Sequence, residues 1–245
     1  MISNTWRGPT TTPGYTPPVP GPIAWFNARQ ITGVAGGAPL AQWDDLSGNA
    51  NHVNGGVSPI YTLNASRLAT LPGVVFNGTT QYLRNAAITA GGVTAGLTII
   101  VALKMISTPL AFSQCVSMRN AGATGFWELR SAQASSAMQM VSGGGAANEI
   151  ATSGLMEPSL HYIMIGTHLQ SGRTTCQIGN GSATSIPLSA ATMNLSDLGI
   201  GNRANGSATF WSSTMYEILI YPTVLTTQEK ATVVQYLAGD WSIVT

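Results

Sequence analysis

Nine carboxylates are all that 245 residues offer for acid–base work. Glycoside hydrolysis needs two of them facing each other across a cleft, about 5–9 Å apart, commonly from one strand or two facing strands. The acids in strand-like stretches, Glu128, Glu149, Glu157, Asp197 and Glu217, are scattered, and none falls two or four residues from another. No strand therefore presents an acid pair on one face, and the chain reads as non-enzymatic. Glu128 is the most distinctive acid because Trp127 precedes it. An aromatic flank raises a carboxyl pKa or stacks on a sugar ring. Trp127, Glu128 and Trp211 are accordingly the candidate carbohydrate- or partner-contacting residues. The competing assignment for both tryptophans is the core.

Asp44, Asp45 and Asn49 lie in a run of oxygen-bearing side chains that could offer hard ligands to Ca²⁺. The spacing fits no EF-hand, and Asx-turn hydrogen bonding accounts for the same residues without a metal. No cofactor is expected, and Ca²⁺ is not favoured. His161 and His168, seven apart on one strand, fall on opposite faces and cannot share a metal. Gly199–Ala204 imitates a dinucleotide fingerprint, but Asn205-Gly206 follows where a helix should start. Cys115 and Cys176 lack metal-ligand spacing and read as two buried thiols.

The elements that must position these residues are short strands. Leu97, Ile99, Val101, Leu103 and Met105 alternate with Thr98, Ile100, Ala102 and Lys104, predicting a strand with one face in a core. Phe112–Met118, Phe126–Ser131, Met138–Val141, His161–Leu169, Thr174–Ile178 and Met215–Tyr221 continue the pattern. Asn77-Gly78, Ser171-Gly172, Asn180-Gly181 and Asn205-Gly206 supply turn chemistry between strands. Strands recurring at such intervals imply an all-β sandwich or barrel. The opening stretch Trp25–Trp43 reads as a strand pair lying near the closing strand Met215–Tyr221. One helix is expected after it. Thr226 and Glu229 form a capping box, and Val233, Leu237 and Trp241 make one apolar stripe.

Residues 1–22 stand apart from the domain expected over 23–245. Pro9, Pro13, Pro17, Pro18, Pro20 and Pro22 favour an extended arm that cannot build a core. Trp6, Arg7 and Tyr15 are its candidate anchors to a partner. Charged residues are only 8% of the chain, and the net charge of +1 leaves no electrostatic footprint for nucleic acid or an anionic membrane. No apolar run is long enough to span a bilayer, and the N-terminus lacks the charged and apolar regions of a secretory signal.

Three blocks resemble one family. Ala24–Ala28 through Gln42-Trp43-Asp44-Asp45-Leu46-Ser47-Gly48-Asn49, then Val74-Val75-Phe76-Asn77-Gly78 with Gln81-Tyr82-Leu83, and finally Leu198–Gly201 with Met215–Tyr221 and Leu225–Leu237 look like the concanavalin A-like (laminin-G-like) jelly-roll domains. That resemblance implies an antiparallel two-sheet jelly-roll sandwich with one C-terminal helix. The fold hosts lectins, hydrolases, adhesion modules and virion proteins alike. The Glu-x-Asp-x-x-Glu strand of the family's glycosidases has no counterpart here. A solitary domain with a Pro-rich arm, little charge and no export signal resembles a bacteriophage virion component. It would be made in the host cytoplasm and held in several copies on a capsid shell or tail fibre through residues 1–22. Its body could display a surface for cell-surface glycans. The alternatives are a free carbohydrate-binding lectin and, behind it, a polysaccharide hydrolase.

Overall fold

The structure is a computed structural model that describes residues 16–64, 71–89, 96–120, 125–132, 136–143, 149–169, 172–187, 196–204 and 209–243. Its strands, in chain order, are β1 (Ala24–Asn27), β2 (Gln42–Trp43), β3 (Val53–Asn54), β4 (Ile60–Thr62), β5 (Gly73–Asn77), β6 (Leu83–Asn85), β7 (Gly96–Met105) and β8 (Gln114–Arg119). They continue as β9 (Phe126–Ser131), β10 (Ala137–Gly143), β11 (Glu149–Leu155), β12 (His161–Leu169), β13 (Arg173–Ile178), β14 (Thr184–Pro187), β15 (Asp197–Ile200) and β16 (Ser212–Tyr221). Helix α1 spans Thr227–Trp241.

The strands form two eight-stranded antiparallel sheets, and the protein is a jelly-roll β-sandwich. The first sheet runs β14-β13-β12-β7-β16-β5-β4, with β1 also paired to β16. The second runs β11-β10-β9-β8-β15-β6-β3-β2. Strand β16 is the hinge of the first sheet. One edge pairs with β7 along its length; the other pairs with β5 at Ser212–Met215 and with β1 at Glu217–Ile220.

Strand β7 is buried on both faces, since Thr98, Ile100 and Ala102 are covered as completely as the core-facing set. Leu97, Ile99, Val101, Leu103 and Met105 are fully buried, and the partner of Leu97 on β12 is His168, whose ring packs 4.8 Å from Trp127 of the opposite sheet. Trp127 and His168 thus bridge the sandwich from inside. His161 lies on the other face of β12, beside Tyr216, so the two histidines are separated as the spacing requires. Both cysteines are buried thiols, and burial pushes Cys176 up to about 11.

The opening stretch differs from the expectation. Trp25 sits on β1 in the first sheet, whereas Trp43 sits on β2 at the edge of the second. The chain crosses the sandwich between them, and Phe26 meets Trp43 across the core at 5.7 Å. A glycine-rich segment of a dozen residues is long enough to change sheets, so adjacency in sequence did not mean pairing. Strands β11 and β14 were also absent from the expectation, because their polar residues show no alternation.

Helix α1 covers the outer face of the first sheet, burying Val233, Val234, Leu237 and Trp241. Its capping box is complete: Thr226 Oγ1 accepts from the Glu229 amide at 3.2 Å, and Glu229 accepts from the Thr226 amide at 2.7 Å. The candidate anchors Trp6, Arg7 and Tyr15 lie outside the described residues. Residues 16–22 lie against the sandwich, where Val19 is buried and its carbonyl accepts from the Tyr221 hydroxyl.

Candidate functional site

The second sheet carries a lateral row of residues across all eight strands. Register places Gln42, Asn54, Arg84, Gly199, Ser117, Glu128, Val141 and Ile150 opposite one another in turn. Side chains opposite one another on neighbouring strands share a face. This is the outer face, since Trp127, next to Glu128, points into the core.

The two small residues in mid-row have a purpose. A Cβ on Gly199 would lie 2.7 Å from the Asn202 carbonyl oxygen and 2.8 Å from the Ala204 nitrogen. Segment 201–204 therefore lies directly on the sheet here, with the Ala204 amide 3.4 Å from Ser117 Oγ. It divides the row into a pocket and a charged cluster.

The pocket has a volume of about 430 Å³ and is lined by Gln42, His52, Asn54, Tyr82, Arg84 and Asn85, among others. Gly55 and Gly56 form its rim with φ of 74° and 78°, a left-handed pair that other residues adopt only under strain. A Cβ on Gly56 would also meet the Tyr82 ring at 2.5 Å, so the ring lies flat on that glycine. Phe210 packs against the ring at 6.1 Å and fixes it as an apolar wall. Asn85 ties the floor together by donating to the His52 carbonyl at 2.9 Å and accepting from the Ala87 amide at 2.8 Å. His52 Nδ1 accepts from the Asp45 amide at 3.0 Å, which places the proton of the neutral ring on Nε2. Asp44 Oδ1 lies farther from the same nitrogen, at 3.4 Å, and the backbone contact is the better hydrogen bond.

Asp45 explains why the acidic loop is a scaffold. Its Oδ1 accepts from the amides of Trp25 and Ser47, and its Oδ2 from the Asn51 amide and the Ser47 hydroxyl, all at 2.8–2.9 Å. Four donors saturate one carboxylate, as turn chemistry predicts. Asn49 donates to the carbonyls of Pro22 and Ile23, and Asp44 accepts from Gln42. Among the described residues, no cluster of three or more His, Cys, Asp or Glu side chains could hold a metal.

On the other side of segment 201–204 lies Glu128, which is 0% exposed. Arg119 reaches Oε1 at 2.8 Å, Arg203 the same oxygen at 3.2 Å, and Arg130 reaches Oε2 at 3.4 Å. Gln114 donates to Oε2 at 3.3 Å. The Arg119 guanidinium stacks on Phe126 and that of Arg130 on Phe112. The aromatic flank expected of Glu128 is thus spent on its arginines, because Trp127 projects from the opposite face of the strand.

Trp127 and Trp211, at 1% and 0% exposure, present no face to a ligand. This corrects their assignment as contact residues in favour of the core, where both side chains lie. Glu217, as fully buried as Glu128, lies beneath α1 on the opposite side of the sandwich. It accepts from the indoles of Trp25 at 2.6 Å and Trp241 at 2.8 Å, and from Tyr236. A β-bulge between Met215 and Glu217 turns both Tyr216 and Glu217 to the helix, where Tyr216 stacks on Trp241. Burial pushes the Glu217 carboxyl up to about 7, although its three donors pull the other way. Glu128 and Glu217 cannot act together, because the sandwich separates them.

No protein-family model matches the chain, and no curated protein matches it. Solved structures do. A sialidase from Trypanosoma rangeli in complex with sialic acid superposes with a TM-score of 0.61 at 16% identity, over 98% of this chain and 37% of that one. The binding domain of botulinum neurotoxin serotype G gives 0.64 at 11% identity, over 89% and 51%. A structure of botulinum neurotoxin type C, whose cell entry depends on interaction with two ganglioside molecules, gives 0.63 at 9% identity, over the same shares. The chain spans about a third to a half of these proteins, and the likeness establishes the β-sandwich fold.

Proposed function

We propose that this protein is a non-catalytic carbohydrate-binding module whose ligand occupies the pocket on the outer face of the second sheet. The pocket itself carries the reading. It is concave, of a size suited to one or two sugar rings, and walled on one side by the clamped Tyr82 ring. Amides of Gln42 and Asn54, the His52 Nε2–H and the Arg84 guanidinium offer the mixed donors and acceptors that vicinal hydroxyls require. Glu128 and Glu217 stand on opposite faces of the sandwich with their oxygens already engaged, so these two do not face each other across one cleft, which supports a binding role. The glycan-related proteins among the structural neighbours support the same reading.

A glycan array followed by calorimetry on the hits tests it. Selective binding is expected, weakened tenfold or more by Tyr82→Ala, with the fold intact by circular dichroism. An array without hits, or hits indifferent to Tyr82→Ala and Arg84→Ala, would sink the proposal. The same pocket serves a free lectin-like module and one carried by a virion through residues 1–22. Deleting residues 1–15 should therefore leave glycan affinity unchanged in either case.

A further inference from the structure

The Glu128 cluster carries more positive charge than its own structure accounts for. Arg119, Arg130 and Arg203 all face Glu128, so three guanidiniums meet one carboxylate and a charge of +2 remains. Arg84 consumes Asp197 at 2.9 Å, which leaves three arginines on one glutamate. Arg119 and Arg130 are nearly as buried as Glu128 itself, and only Arg203 is partly exposed. Buried charge without compensation is costly, so a cluster left at +2 in low dielectric calls for a counter-charge.

The hydrogen bonding has the same gap. The Nε–H groups of Arg119 and Arg130 and the side-chain amide of Asn202 are buried and have no acceptor. Buried donors are almost always paired with protein, water or an ion, so three around one charge excess need a common explanation. The guanidinium carbons of Arg119 and Arg130 sit 5.0 Å over the Phe126 ring and 4.8 Å over the Phe112 ring, which holds both groups at the cluster. Phe112 holds its place at φ 58°, a left-handed conformation that is unfavourable for a bulky residue and is maintained by the surrounding structure. Burial also lowers the Arg130 pKa against the pull of Glu128, a strain that a nearby anion would relieve.

We propose that the arginine cluster around Glu128, closed by segment 201–204, is a binding site for one oxyanion, reached past Arg203. The ligand class is a small tetrahedral or planar oxyanion, either free inorganic phosphate or sulfate or the carboxylate of an acidic sugar. This site is separate from the pocket and does not depend on the pocket's holding a glycan.

Calorimetric titration of the full chain with sodium sulfate, sodium phosphate and sodium glucuronate, at constant ionic strength held with chloride, tests the proposal. Saturable one-to-one binding of at least one of them is expected. Sulfate or phosphate without glucuronate identifies a free ion, and glucuronate alone identifies a sugar carboxylate. Arg203→Gln, at the partly exposed mouth, should weaken that binding about tenfold, the scale of one charge-assisted hydrogen bond. Glu128→Gln removes the competing carboxylate and should bind the anion more tightly. If that variant unfolds in chloride alone, the bound anion should restore its cooperative melting. No saturable binding by wild type would overturn the site, as would equal affinity in Arg203→Gln. Melting-temperature increments from sulfate that are identical in wild type and both variants would show only general salt stabilisation and would also overturn it.

Discussion

Each outer face of the sandwich buries a glutamate, and the two are held in opposite ways. Glu128 is surrounded by three guanidiniums and one amide, whereas Glu217 is met by two indoles and a phenol that carry no charge. Both are sealed from water. The partners of Glu128 are charged, and each guanidinium reaches one of its oxygens. The neutral partners of Glu217 hydrogen-bond it without offsetting the cost of burying its charge, so burial wins and its proton is retained to near neutrality. One carboxylate is a counter-ion; the other is a cross-link between a helix and a sheet.

Removing each tests that contrast. Glu128→Ala leaves three arginines facing one another in a dry site and should cost about 3–5 kcal/mol, as for a buried pair stripped of one partner. Urea unfolding measures this, and a loss under 1 kcal/mol would show that Glu128 is not the charge that holds the cluster together.

The pH dependence comes next in size. Glu217 has a folded pKa of about 7, raised from 4.5. Its contribution is fully present below about pH 4.5 and is lost as pH rises toward 7, a change of about 3 kcal/mol. Glu217→Gln should flatten this limb. The acid limb has another owner. Burial lowers the pKa of His168 from 6.5 to about 4, so its contribution is present above 6.5 and is lost as pH falls toward 4. Stability should therefore peak in mildly acidic solution. A maximum above pH 8 would remove Glu217 as the source of the alkaline limb.

The smallest effect is Tyr236→Phe, which deletes the hydroxyl donor to Glu217. It should cost about 1 kcal/mol and move the alkaline limb to higher pH, because the ionised carboxylate then has fewer donors. An unchanged limb would mean that the indoles alone set the Glu217 environment.

What the sequence disclosed followed from local rules. The capping box at Thr226, strand β7 and the helix stripe at Val233, Leu237 and Trp241 each depend on neighbours within a few residues. The face of Trp127 was not legible, because β9 alternates Phe126, Glu128 and Arg130 on the face that the arginines cover. The Glu128 cluster gathers β8, β9 and segment 201–204, and the pocket gathers residues from 42 to 56 with those from 82 to 86. No spacing rule reaches over such separations. Glycine was the one usable signal for the site. Gly56 and Gly199 mark backbone that must be approached closely, and both border it.

The pairing of β1 with β16 has a consequence for the making of this protein. Trp25 reaches Glu217 across 192 residues of chain. Throughout synthesis, β1 therefore waits without its partner while the middle strands emerge and pair among themselves. Closure of this kind belongs to slow, high-contact-order folding, in which long-range strand pairing pays its entropy before it gains stability. A ribosome stalled before Tyr221 would hold a chain with a stranded opening segment and an open sheet edge, prone to pairing with its neighbours. The first sheet is thus completed only when β16 and α1 emerge and β1 gains its partner.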